Sequence, residues 1–428
     1  MHLSEFTTEE IENAIKTGNV AVEEATYAFW REDVEEYEKM ISEPEICGVN
    51  SECIQKHHTP HSLRKDMVGK LGKDIIAKSW EDSDFSILTY NPEFVRTLVD
   101  FGVKQEAIFI VSDNKNKCIV IKKMYNKINV QLADFLVKEF KMKFDVIIMN
   151  PPYQDKAREG GQKGTRTHIW GDFIKKGFFL LKEKGFLCTI NPGGWRRPFG
   201  KFKEIGNQMM ARQIKNLNIH GISDGQKLFD ATTGFDVVVI ENTRKYKKTV
   251  VVDDSGKMVE IDMAYVPAIA NGKISEISEL FAKKGEEKVQ LIFDRSAYGH
   301  DKAWVCKEKS PEFKYPVVYS LPQKGMCFHW SSTNKNGHFG IPKIIWSNGA
   351  ATQILIDEKG EYGMTEWAYA IADNKNVLPL LKKAMESVKF LQLCNGMRFT
   401  LDKYDAKFIS LFRKDFWKKF VDEKGNEI

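Results

Sequence analysis

The sequence predicts a two-part α/β protein: a largely parallel sheet flanked by helices over residues 47–245, then a smaller α+β region over 246–428. Short apolar runs alternate with helix-like stretches from about 57 to 245, the pattern of strand–helix–strand units. Beyond Lys248 that alternation gives way to irregular segments mixing aromatic, glycine and lysine residues, such as Tyr319–Ile341. A length of 428 residues, at roughly 100–200 per domain, leaves room for two or three domains.

Before the sheet begins, Met1–Ile46 carries thirteen acidic against three basic side chains, a net of −10. Ser4 or Thr7 can cap a helix there, and Val34, Tyr37 and Ile41 give it a partial apolar stripe, so residues 1–46 are expected to form an acidic helical cap. Strands are expected at Phe85–Thr89, Ala107–Ser112, Lys127–Val130, Phe144–Met149, Gly185–Ile190, Leu217–Ile222 and Phe235–Glu241. Helices are expected at Ser62–Leu71, Pro92–Phe101, Ala133–Lys141, His168–Lys182 and Gly200–Met210. The second region should finish in helices over Val377–Leu393 and Phe408–Phe420.

Composition narrows the function classes. Apolar residues make up 42% and charged residues 29%, ordinary for a globular chain. No run approaches the roughly 18 apolar residues of a membrane span, and the first residues lack the basic and apolar regions of a secretory signal, so no membrane partner is expected. Seven scattered cysteines fit reduced thiols in a cytoplasm. The net charge of +5 leaves +15 on the chain beyond residue 46, a balance suited to a polyanionic partner.

The string that carries chemistry is Phe144–Met149 followed by Asn150-Pro151-Pro152-Tyr153. An apolar run that fills a strand buried on both faces stops at two prolines, which cannot continue a sheet ladder. The tetrapeptide therefore forms a rigid loop at a strand's carboxyl end, where open α/β sheets bind ligands. The Asn150 amide oxygen and the Pro151 carbonyl can accept N–H groups, and Tyr153 offers an aromatic face. That set suits a planar ring bearing an exocyclic amine, whose delocalised lone pair makes it a poor nucleophile; two carbonyl-type acceptors favour the pyramidal nitrogen of a transition state.

On these residues the chain resembles the N6-adenine DNA methyltransferases of restriction–modification and phage type. The resemblance extends to His58-Thr59-Pro60 with Leu63 and Met67-Val68 on the following helix, to Trp170-Gly171-Asp172-Phe173, to Gly185–Ile190 with Asn191-Pro192 and Trp195, and to Phe229–Ile240. A looser similarity covers Leu411–Trp417. With the Thr-Pro segment first and the recognition region last, the motifs stand in a γ-like order. The resemblance implies a Rossmann-like methyltransferase sheet using S-adenosylmethionine, with an α+β target-recognition domain over 246–428. Asn150, Pro151, Pro152 and Tyr153 take the catalytic positions. Thr59, Pro60, Tyr90, Asn91, Asp113 and Asp134 take the cofactor positions, Asp113 matching the acid that holds the ribose hydroxyls and Asp134 the one at the cofactor's adenine amine. Phe229 or Phe235 supplies a second aromatic face for the base or else packs in the core, and Trp195 falls to the substrate; by their charge, Arg196 and Arg197 after it read either as phosphate contacts or as plain exposed residues. The implied partners are double-stranded DNA and a separate cognate restriction nuclease.

The sequence departs from the family at the first strand's loop. A glycine-rich turn is expected there, and Thr89-Tyr90-Asn91-Pro92-Glu93-Phe94 stands instead. Either Tyr90 and Asn91 hold the cofactor differently, or cofactor affinity is weak without DNA, or the site is inactive. An RNA adenine or protein glutamine methyltransferase and a catalytically inactive DNA-binding relative are the alternative readings. Cys47, Cys53, His57, His58 and His61 cluster but lack paired Cys-x-x-Cys spacing, so no metal is expected. Gly160–Arg166 reads either as a basic loop touching nucleic-acid backbone or as an exposed linker.

Overall fold

The computed structural model describes residues 59–153, 168–322, 325–347, 353–400 and 403–428. The acidic segment 1–46, Cys47, Cys53, His57, His58 and the loop 160–166 lie outside the described residues. The chain divides into two compact units, Met1–Ala264 and Tyr265–Ile428.

Among the described residues of the first unit nine strands form one sheet: β1 Ile87–Thr89, β2 Ile108–Ser112, β3 Asn129–Leu132, β4 Phe144–Met149, β5 Leu181–Asn191, β6 Arg212–His220, β7 Phe235–Arg244, β8 Thr249–Val252 and β9 Met258–Ile261. Their order is β3-β2-β1-β4-β5-β7-β6-β8-β9. Strands β1 to β5 run parallel, and β7 is inserted antiparallel to both β5 and β6. The chain order reverses direction at β1, and β4 lies beside it, so the carboxyl ends of β1 and β4 open a crevice at the switch point.

One face of the sheet packs Val146, Ile148, Cys188, Ile190, Phe235 and Val237 against Leu63, Met67, Phe94, Leu98, Ile119 and Phe229 from the helices. On the other face helix Trp170–Leu180 approaches closely through Gly177, where a Cβ would sit 2.9 Å from Met149 Cε and 3.3 Å from Leu187. The alternation of Val146, Ile148 with Ile147, Met149 along a fully buried strand is what places helices on both sides.

Several expectations are corrected. The stretch Ala133–Lys141 is a single turn: Lys176 Nζ donates to the carbonyls of Leu136 (2.8 Å) and Lys138 (2.6 Å), satisfying acceptors that a helix would have used. Leu217–Ile222 is divided, with β6 ending at His220 and helix Ile222–Phe229 beginning after Gly221. Helices Lys73–Glu81 and Lys115–Met124 lie in stretches read as connections. The units separate at Ala264 and Tyr265 rather than at 245, because β8 pairs with β6 and the β8–β9 hairpin extends the first sheet.

The described residues of the second unit form two four-stranded sheets. Gln290–Ile292, Ala368–Ala372, Lys343–Ser347 and Leu355–Asp357 form one, and Val305–Cys306, Cys327–Ser331, Tyr315–Ser320 and Gly363–Met364 the other, each in that order. Helices Leu378–Glu386 and Val388–Gly396 replace the single helix expected there, because Ser387 adopts extended backbone and caps the second through Phe390 N–H (3.2 Å). The stretch 408–420 is two 3₁₀ turns, Ala406–Leu411 and Phe416–Lys419. No described helix is long and apolar enough to cross a membrane.

Candidate methyltransferase site

The site is built where β1 and β4 end. Their ladder runs through Ile87↔Val146, Leu88↔Ile147 and Thr89↔Ile148, and beyond it the chain turns at Asn91 and at Asn150. Asn150 N–H donates to Asn91 Oδ1 (2.7 Å), and Asn91 Nδ2 donates to the Asn150 carbonyl (3.1 Å). The Asn150 side chain is held from a third segment, its Nδ2 donating to Thr59 Oγ1 at 3.2 Å. Thr59 is placed in turn: its N–H reaches Glu93 Oε1 (3.5 Å), and its carbonyl accepts Arg64 Nη1 (2.6 Å). Arg64 Nε donates to Thr97 Oγ1 (3.3 Å), so helix His61–Gly69 locks onto helix Phe94–Asp100. Pro60 starts the first of these helices, its carbonyl accepting Leu63 and Arg64 N–H at 3.0 Å. Thr59, Arg64, Asn91, Glu93, Asn150 and Pro151 are all buried.

Beside this web lies the region expected to take the cofactor. Asp113 is exposed just past β2 and accepts a hydrogen bond from Tyr90 Oη (3.2 Å). Asp134 follows β3 and its Oδ1 accepts Leu136 N–H at 2.7 Å. The Tyr90 ring stands edge-on to Phe135 (6.0 Å) and Phe173 (5.0 Å), which stack on each other at 5.2 Å. Burial pushes the Tyr90 phenol up, reinforced by the charges of Asp113, Asp134 and Glu93. Two carboxylates and an aromatic wall converging on one place fit a nucleoside with a diol and an exocyclic amine: carboxylates accept from hydroxyl and amino groups, and rings cover a base.

On the far side of the Asn150 loop, Trp195 Nε1 and Arg196 Nε both donate to Asp236 Oδ2 at 2.8 Å. Trp195 is 1%, Arg196 3% and Asp236 0% exposed. Burial drives the Asp236 carboxyl up against the opposing pull of Arg196. Burial also pushes up the Tyr153 phenol, with the Asp236 charge adding to it. Helix Lys203–Met210 reaches the knot through Gly206, where a Cβ would lie 2.2 Å from the Trp195 carbonyl oxygen.

The structure therefore brings Thr59, Pro60, Asn91 and Asn150 into one web and Tyr90 onto Asp113. It corrects three of the substrate expectations. Phe229 is 7% exposed in the core, edge-on to Phe235 at 5.0 Å, and offers no face to a base. Trp195 and Arg196 are buried on Asp236, so neither reaches a phosphate; Arg197 remains partly exposed. Glu93, Arg64, Phe173 and Asp236 were not singled out from the sequence as site residues. Asp236 had a signal, a charged residue two-sidedly enclosed in the apolar strand Phe235–Ile240. Among the described residues no cluster of histidine, cysteine or carboxylate side chains can hold a metal ion.

Residues 97–229 match the family model of the Eco57I restriction-modification methylase. Solved structures similar to the chain include a class I S-adenosylmethionine-dependent methyltransferase of Listeria monocytogenes (16% identity, 51% of this chain and 72% of that one, TM-score 0.37). A type I restriction-modification methyltransferase subunit of Streptococcus thermophilus is 14% identical over 53% of this chain and 54% of its own, with a TM-score of 0.38. The type IIG restriction endonuclease BpuSI is 11% identical over 92% of this chain and 63% of its own, with a TM-score of 0.46. No curated protein matches. The matched stretch, similar to a restriction-modification methylase of the Eco57I type, spans Asp113, Asp134 and the Asn150 loop, and S-adenosylmethionine is the cofactor this similarity implies.

Proposed function

We propose that the chain is a site-specific DNA adenine methyltransferase that transfers a methyl group to adenine N6. The observation that carries this is the Asn150-Pro151-Pro152-Tyr153 loop at the carboxyl end of β4, with Asn150 fixed on both its main chain and its side chain. Bound S-adenosylmethionine supplies an electrophilic methyl group on a sulfonium. Asp113 would accept from the ribose hydroxyls, Asp134 from the adenine amine, and Thr59, Pro60 and Tyr90 would line the remainder of that place. The target adenine would leave the duplex, since its amine is otherwise engaged in pairing. Tyr153 would stack on the flipped base, and Asn150 Oδ1 and the Pro151 carbonyl would accept the two N–H groups. These acceptors favour the nitrogen as it turns tetrahedral; it forms the bond to the methyl carbon while the carbon–sulfur bond breaks, and then loses one proton to water. The residues contribute positioning and electrostatics rather than a covalent step.

DNA is the substrate class this reading favours. Residues 265–428 carry 25 basic against 20 acidic side chains, and 1–46 are net acidic, so most of the positive surplus falls on the methylase part itself. In the second unit Lys309 lies over Trp330 (4.7 Å) and Lys314 over Tyr315 (5.4 Å), lysine–aromatic pairs of the kind that can meet phosphate and base together. A separate nuclease would cut DNA left unmodified.

The test is transfer of labelled methyl from S-adenosylmethionine to mixed-sequence duplex DNA, with RNA and a glutamine-bearing protein in parallel. Label in DNA that is lost in Asn150→Ala is expected. Label in RNA or protein instead would overturn the substrate, and none in any acceptor from a folded chain would leave a binding-only protein.

A further inference from the structure

The turn after β1 lacks the glycines expected of it, and the side chain standing there is not idle. Pro151 and Pro152 have no N–H, so once β4 ends the Asn150 main chain is the last place where the catalytic loop can be held by ladder-type bonds. On the β1 side the ladder stops short of it, at Thr89↔Ile148. Asn91 supplies such bonds there, with Oδ1 accepting the Asn150 N–H and Nδ2 donating to the Asn150 carbonyl. A primary amide offers an acceptor and a donor with the spacing of a peptide edge, so this side chain imitates one more residue of β1. Asn91 is itself fixed. Its N–H donates to Thr89 Oγ1 (3.1 Å), and that hydroxyl donates to the Asn91 carbonyl (3.2 Å), with both residues buried.

We infer that Asn91 is a positioning residue for methyl transfer: its amide, paired with both main-chain groups of Asn150, holds the Asn150–Pro151 acceptors in register for the incoming amine. The inference rests on the methyltransferase reading above and deepens it. It also explains the missing glycine, since a residue without a side chain cannot make this clamp.

The informative substitution is Asn91→Asp. An ionised carboxylate keeps the acceptor for Asn150 N–H and sets its second oxygen against the Asn150 carbonyl, whereas a protonated carboxyl restores the donor and the shape of the amide. Burial and the facing carbonyl raise the pKa of that carboxyl, and the nearby Glu93 carboxylate pushes it the same way; Lys117, 3.9 Å from Glu93, opposes them. In the full-length chain, kcat relative to wild type should fall about tenfold or more near pH 8 and recover as pH is lowered toward about 6, the loss expected when a buried carbonyl loses its donor. The S-adenosylmethionine dissociation constant should stay within about threefold of wild type. Asn91→Gly, which restores the expected glycine, should lose kcat at every pH without recovery.

Deuterium uptake of a peptide covering 144–153 gives a readout independent of turnover. Asn150 N–H should be protected in wild type, protected at low pH only in Asn91→Asp, and unprotected in Asn91→Gly. Cofactor affinity falling in parallel with kcat, with a flat pH ratio, would make Asn91 a cofactor contact and overturn the inference. Full activity in Asn91→Gly would overturn it as well. A wild-type chain inactive on every acceptor would remove the methyltransferase reading, and the inference about transfer with it; the uptake pattern would still distinguish an intact clamp from none.

Discussion

Replacing Arg196 with methionine tests the buried knot behind the catalytic loop. Asp236 is fully enclosed, and its Oδ2 accepts two N–H groups at 2.8 Å, one from Trp195 and one from Arg196. Removing the guanidinium leaves a buried carboxylate with one neutral donor, and breaking such a pair from one side costs about 3–5 kcal/mol. At roughly 2–4 °C per kcal/mol for a unit of this size, the first unit should melt about 6–20 °C lower. The loss depends on pH in a definite sense. Burial already holds the Asp236 carboxyl above its ordinary value of 3.8, and without Arg196 it rises further. A carboxyl whose folded pKa is raised binds more protons folded than unfolded, so stability is full below the unfolded pKa and drains away as pH climbs through the folded one. The variant's deficit should therefore be small near pH 4 and complete near about pH 8. Urea unfolding followed by tryptophan fluorescence across that range reads it, and Arg196→Met with Asp236→Asn should regain part of the loss, because a neutral amide oxygen still accepts the indole N–H. A deficit under about 1 kcal/mol, the size of an exposed ion pair, or one indifferent to pH would refute the reasoning.

Other expectations follow from the same geometry. Tyr90→Phe removes the phenol that occupies Asp113, and cofactor affinity by calorimetry should tighten by up to about tenfold, while Asp113→Ala should weaken it by about tenfold or more; opposite signs would separate Asp113 from the ribose. Burial first and the charge of Lys343 second hold the His338 imidazole down, at about 4 against an ordinary 6.5. A histidine with a lowered folded pKa contributes stability above pH 6.5 that is lost as pH falls toward 4, about 3 kcal/mol at most. His338 stands at φ +66°, so His338→Asn, which tolerates that backbone and can still accept Met364 N–H, should flatten the acid limb of second-unit unfolding. Gly206→Ala puts a methyl 2.2 Å from the Trp195 carbonyl oxygen and should cost about 1–3 kcal/mol by urea denaturation.

Local signals in the sequence reach as far as the sheet and the catalytic loop. Phe144–Met149 was legible because a strand buried on both faces is continuously apolar and two prolines end it. Asp113 and Asp134 were expected at the cofactor from the family resemblance, and they stand just past β2 and β3. What failed depended on partners distant in sequence. Ala133–Lys141 has the composition of a helix, but Lys176 from another segment takes its carbonyls. Helix Lys115–Met124 hides an apolar run, Cys118–Ile121, that reads equally as a strand. Arg196 was read as a phosphate contact because a sequence shows its charge and not the Asp236 that neutralises it 40 residues later. Asn91 was placed against the cofactor on its position after β1; its amide belongs to Asn150, a pairing across 59 residues that no spacing rule contains.

The central claim is that the Asn150 loop carries methyl transfer to adenine N6. The most direct measurement digests duplex DNA, after single-turnover reaction with isotopically labelled S-adenosylmethionine, to nucleosides and identifies the labelled species by mass, with cofactor affinity of Asn150→Ala measured alongside. Labelled N6-methyl-2′-deoxyadenosine from wild type, and none from a variant that still binds the cofactor, is the predicted result. Label on another base, or an Asn150→Ala chain as active as wild type, would contradict it.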